Sequence, residues 1–87
     1  AAARAFVSTV ADKHRRGEDV TVDVAMAKNI AAAACSFVTD EAVQIHGGMG
    51  YMRESLVERL YRDARLYPIG GGTTEIMREL IGRHLVD

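Results

Sequence analysis

DVAMAKNIAAAACSFVTDEAVQIH, residues 23–46, is the stretch whose reading decides the fold. Ala27, Ile30, Ala31, Ala34, Val38, Ala42 and Ile45 recur at three- and four-residue steps. That period predicts one long helix of roughly 36 Å. Ala32, Ala33, Cys35 and Phe37 carry apolar character around the other side. A helix apolar nearly all round packs against several neighbours. Gly47-Gly48 ends it, since glycine is the residue that closes a helix without strain.

Working outward, residues 1–16 read as a preceding helix. Ala2, Ala5, Phe6, Thr9, Val10 and Lys13 fall on one face. Arg15 and Arg16 suit its negative end, and Gly17 supplies the stop. Asp19 or Thr21 is placed to cap the long helix. Downstream, Ser55 and Glu58 have capping-box spacing for a third helix over 56–65. Pro68 and Gly70-Gly71-Gly72 break the chain. Thr73 then caps a last helix over 74–85, with Ile76, Met77, Leu80 and Ile81 inside. No alternating strand pattern occurs, so the expected fold is all-α: a partial helical bundle in one domain, residues 1–87.

The chain has 87 residues, which is small for a core of its own. Many of its apolar residues are alanine and Trp is absent, so a partner surface is expected. With 11 basic and 12 acidic side chains, the net charge of −1 makes no field for nucleic acid or an anionic membrane. One cysteine excludes an internal disulfide and a thiolate metal site. No apolar run reads as a membrane span, and no metal-ligand set appears. Opening on Ala1-Ala2-Ala3-Arg4, without Met, reads as a chain entered within a helix. A fragment or cleaved piece is therefore expected.

Two glycine clusters, each at a helix end, are the candidate binding features. Gly70-Gly71-Gly72-Thr73-Thr74-Glu75 precedes a helix, where N–H groups and hydroxyls suit an oxyanion. It is not a P-loop, because the Lys after the glycines and the preceding strand are missing. Gln44 lies one turn before Gly47-Gly48, where an amide suits a base or ribose edge and the glycines admit a pyrophosphate. On spacing alone, a capped turn and a plain glycine stop are the better readings of both. His46 at a helix end reads as a packing residue, and Cys35 as a buried small residue. Glu58, Arg62, Asp63 and Arg65 read as an ion-pair network. Arg83 reads as an anion partner or a complement to the helix dipole. No Ser-His-Asp set or carboxylate pair emerges.

Taken together, the motifs resemble one family. The carriers are Ala27-Lys28, then Ala42-Val43-Gln44-Ile45-His46-Gly47-Gly48 with Gly50-Tyr51. They continue through Glu58-Arg59, Tyr61-Arg62-Asp63-Ala64-Arg65, Ile69, Gly72-Thr73 and Glu75-Ile76 to Arg83. Three ordered motifs at this spacing are similar to the C-terminal helical domain of the acyl-CoA dehydrogenases, closest to the long-chain type. The resemblance implies that the first helix of the bundle and the two domains before it are not in this chain. It implies FAD, an acyl-CoA thioester, a homo-oligomer and an electron-transfer partner. Gln44, Gly47 and Gly48 would then meet the ADP half of FAD held by a neighbouring subunit. Thr73 and Glu75 would contact the flavin cofactor, and Gly72 and Arg83 would lie along the acyl-CoA side.

One departure matters. Many members carry the catalytic base just before the Gly-Thr pair, and here that position is Gly71. Members with a small residue there carry the glutamate on the earlier bundle helix. The expectation is therefore the C-terminal part of a flavin-dependent acyl-CoA dehydrogenase, inactive alone, with no catalytic residue of its own. The alternative is a non-catalytic helical oligomerisation module of the same family. A bacterial cytoplasmic setting is expected, or the mitochondrial matrix in a eukaryote.

Overall fold

A computed structural model describes residues 1–86. Asp87, the last residue of the expected 1–87 domain, lies outside the described residues. The fold is all-α. Its helices are α1 (Ala2–Arg15), α2 (Thr21–His46), α3 (Gly48–Tyr51), α4 (Leu56–Ala64) and α5 (Thr74–Val86), with no strand among the described residues. The long helix is the hub. Among the described residues α1 and α5 each pack on α2 alone, while α3 and α4 pack on α2 and on each other. The result is elongated, 49 × 24 × 16 Å.

The helix ends follow local chemistry. Gly17 at φ +81° closes α1. Its N–H bonds the His14 carbonyl at 3.0 Å and the Glu18 N–H bonds Lys13 at 3.1 Å, which is the paired Schellman pattern. Asp19 Oδ1 accepts from the Thr21 N–H at 3.1 Å and from its hydroxyl at 2.8 Å. These bonds hold the Asp19 carboxyl below its ordinary value, the backbone bond most of all. Ser55 Oγ accepts from the Val57 N–H at 3.2 Å and starts α4. The capping box is only half formed. Glu58 bonds Arg62 Nε at 2.7 Å instead, and the Ser55 N–H turns to the Met52 carbonyl at 3.0 Å.

The single turn of α3 was not expected, because four residues are too few to show a period. Its existence depends on Gly50. A Cβ there would lie 2.7 Å from the Val43 carbonyl oxygen and 3.0 Å from His46 Cβ. Only a bare Cα lets the chain fold back against the end of α2.

Burial corrects several expectations, among them Ile76, expected inside and 51 % exposed. The buried apolar residues are Val10, Ala25, Ala27, Ala32 and Ala64, none larger than valine. The apolar surroundings of α2 are not enclosed: Ile30, Phe37 and Val38 are exposed, and Ile45 is 81 % exposed. Within this chain α1, α4 and α5 cover only part of the helix. By length and composition alone α2 is also apolar enough to cross a bilayer. Its position in the fold is different: it is the helix on which the others pack, and its polar side chains bind neighbouring carbonyls.

Candidate functional site: the glycine loop and the end of the long helix

The chain between α4 and α5 is a tight irregular loop. Leu66 O accepts from the N–H groups of Ile69 at 2.8 Å and Gly70 at 2.7 Å, and Pro68 O accepts from Thr74 at 3.0 Å. Gly71 at φ +69° and Gly72 at φ +111° make the final bend. Side chains rarely adopt these angles. Thr73 Oγ1 accepts from the Ile76 N–H at 3.2 Å and so caps α5, leaving its hydroxyl proton available. Among the described residues the N–H groups of Gly71, Gly72 and Thr73 meet no acceptor. Glu75 is exposed in the first turn of α5, where a carboxylate is favoured. Gly72, Thr73 and Glu75 therefore form one edge.

Two residues of α2 hold this loop. Lys28 Nζ donates to the carbonyls of Tyr67, at 3.0 Å, and Gly72. Asn29 Nδ2 donates to the Thr74 carbonyl at 3.2 Å, while its Oδ1 is buried without a partner. Sequence reasoning placed no site role on either. Their signal was there: Ala27-Lys28-Asn29-Ile30 puts two polar side chains inside an apolar run.

Gln44, Gly47 and Gly48 stand apart from that edge. Asn29 touches Thr74, and Gln44 is fifteen residues further along α2, or about 22 Å. All three are exposed. Gly47, at φ +62°, and Gly48 have open space where a Cβ would point. Arg83 is nine residues beyond Thr74 along α5, about 13 Å. It bonds Glu79 at 2.6 Å rather than joining the loop. The expected ion-pair network resolves into separate pairs, exposed Arg62 with half-buried Glu58 at 2.7 Å and exposed Arg59 with exposed Asp63 at 3.7 Å. The Glu58 bond and charge raise the Arg62 guanidinium above its ordinary value. Arg65 instead lines a surface hollow of about 510 Å³ with Phe37, Asp40 and Tyr61.

His46 Nδ1 bonds the Ala42 carbonyl at 2.8 Å, closing the last turn of α2. Cys35 is half-buried, not buried, beside Lys28, Tyr67 and Gly70. No group of three His, Cys, Asp or Glu side chains suited to a metal occurs among the described residues. Position 71 carries no proton acceptor. The loop edge offers N–H donors, one hydroxyl and a helix N-terminus, which bind oxygen or negative charge. The far end of α2 offers a free amide beside glycines that leave room for a ligand.

Comparison with known proteins agrees with this architecture. A family profile described as "Acyl-CoA dehydrogenase, C-terminal domain" matches residues 1–86. The chain is 44% identical to the acryloyl-CoA reductase (NADH) of Anaerotignum propionicum, over 99% of this chain and 22% of the relative. It is 45% identical to the mitochondrial long-chain specific acyl-CoA dehydrogenase of Sus scrofa, over 95% of this chain and 19% of that protein. A crystal structure of a probable acyl-CoA dehydrogenase from Mycobacterium abscessus superposes with TM-score 0.94 at 54% identity, covering 97% of this chain and 22% of the other. The chain thus spans about a fifth of the length of the curated relatives it matches. It belongs to the acyl-CoA dehydrogenase family, of which it is the C-terminal helical domain.

Proposed function

We propose that this chain is the C-terminal part of a flavin-dependent enzyme that converts an acyl-CoA to its trans-2-enoyl-CoA. It supplies FAD contacts and subunit contacts and is inactive alone. The observation that carries this is the division of the candidate residues between two places about 22 Å apart along α2. One domain then serves two cofactors. Thr73 and Glu75 face the flavin of one, and Gln44, Gly47 and Gly48 face the ADP half of one held by a neighbouring subunit. The residues fit such a ligand. The N–H groups of Gly71, Gly72 and Thr73 have no acceptor, and a Cβ at Gly47 or Gly48 would meet nothing. FAD, when bound, would supply the hydride acceptor for the substrate's β-carbon, and an electron-transfer partner would reoxidise it. Gly72 and Arg83 lie on the acyl-CoA side.

The α-proton needs a carboxylate within hydrogen-bond reach. Gly71 has none. Glu79 is engaged with Arg83, and Glu75 belongs to the cofactor edge. By the resemblance to the long-chain type, the base is a Glu on a helix preceding Ala1. In the full-length protein, replacing that Glu by Gln should nearly abolish flavin bleaching by acyl-CoA while FAD stays bound. Adding Gly71→Glu to that variant should restore part of it. A dead Glu79→Gln enzyme beside an active upstream Glu→Gln enzyme would refute the assignment.

A second reading rests on the 44% identity to an acryloyl-CoA reductase: the same site run toward saturation. Oxidation of NADH by an enoyl-CoA, without bleaching by acyl-CoA, would establish it. A full-length protein that assembles but never carries flavin would establish instead a non-catalytic oligomerisation module. The setting proposed for it is a bacterial cytoplasm, or the mitochondrial matrix in a eukaryote.

A further inference from the structure

We propose that Lys28 is the positioning residue of the glycine loop: its ammonium draws the Tyr67 and Gly72 carbonyls onto α2 and thereby turns the Thr73 N–H outward, toward the ligand edge. The two carbonyls stand five residues apart in the chain, across the loop, and meet on one side chain. The loop needs such a clasp. Gly71 and Gly72 lie in the left-handed region, and glycine by itself restrains the backbone weakly.

The direction follows from peptide geometry. The Gly72 carbonyl and the Thr73 N–H share one planar trans unit and point opposite ways. Holding the oxygen against α2 aims the N–H away from α2, in keeping with its lack of an acceptor. Asn29 holds the Thr74 carbonyl, so adjacent residues of one helix grip the backbone on both sides of Thr73. A charged donor makes the stronger kind of hydrogen bond. It also sets a positive charge behind the N-terminus of α5, adding to the helix dipole at the edge where a polar ligand is proposed.

The inference concerns the loop itself, and only its flavin readout rests on the function proposed above. Hydrogen–deuterium exchange on the full-length protein tests it. In Lys28→Met, the hydrogen-bonded amides of the segment 69–76, those of Ile69, Gly70, Thr74 and Ile76, should exchange about tenfold faster or more, while α1 and α4 keep their protection. Lys28→Arg, which retains charge and donors, should recover most of the loss. On the same samples Lys28→Met should release FAD several-fold faster than Lys28→Arg. An unchanged loop in Lys28→Met, an increase spread evenly over all helices, or no difference between Met and Arg would each overturn the proposal. If Lys28→Met does not fold, Lys28→Gln decides: selective loosening of 69–76 upholds the clasp, and its absence overturns it. A protein that never carries FAD refutes the proposed function and leaves the exchange comparison standing.

Discussion

Adding one methyl group at Gly50 should be among the most damaging small changes in this chain. The new Cβ would lie 2.7 Å from the Val43 carbonyl oxygen, 3.1 Å from Val43 Cα and 3.0 Å from His46 Cβ. Two of those atoms are backbone of α2 and cannot swing aside, so α3 must lift off. Overpacking of this kind costs about 1–3 kcal/mol. Replacing glycine by alanine in a helix returns roughly 0.5–1 kcal/mol of backbone entropy. The net expectation is a loss of up to about 2.5 kcal/mol. Gly82→Ala is the matched control. It too is helical, its added Cβ meets nothing within 4 Å, and it should gain up to ~1 kcal/mol. Urea unfolding at one fixed protein concentration should thus move the two midpoints in opposite directions. A Gly50→Ala protein as stable as Gly82→Ala would refute the reasoning about the α2–α3 corner.

Other consequences are as direct. The exposed Ile30, Phe37, Val38 and Ile45 predict that the isolated chain associates; a well-folded monomer at high dilution in sedimentation would contradict this. In the full-length protein, Gln44→Ala should weaken FAD retention by about 1–3 kcal/mol, the cost of an unpaired buried partner, and leave hydride transfer nearly intact; unchanged flavin content with a collapsed rate would speak against it. The lowered Asp19 carboxyl gives a sign for acid sensitivity. Its folded value lies below the unfolded one, so its stabilisation is present above about pH 4 and is lost as pH falls through the folded value. Asp19→Ala should therefore flatten the acid limb of the stability curve, and an unaltered limb would show that the Thr21 bonds are not formed in solution.

Local chemistry made much of the fold legible. Gly17, Ser55 and Thr73 could be read as helix ends because each acts on amides within three residues of itself. The period of residues 23–46 marked the hub helix for a similar reason: helical spacing alone brings those side chains to one side. Burial was harder to read. Periodicity tells which residues want cover, not whether this stretch of chain supplies it. Ile45 and Phe37 stay open because their cover is absent among the described residues.

What the sequence by itself determined was the all-helical class, most of the helix ends and the family, since all three rest on neighbours in the chain and on ordered motifs. What only the tertiary structure decided was the contact made across distance. Lys28 reaches a carbonyl 44 residues away and Asn29 one 45 away. Gly50 is required by the carbonyl of Val43 after the chain has turned back on itself. Gln44 and Thr73 prove to belong to separate places because a rigid helix of fixed rise lies between them. Spacing along a sequence carries no record of such meetings. They exist only once packing has chosen which face of α2 each neighbour lies on.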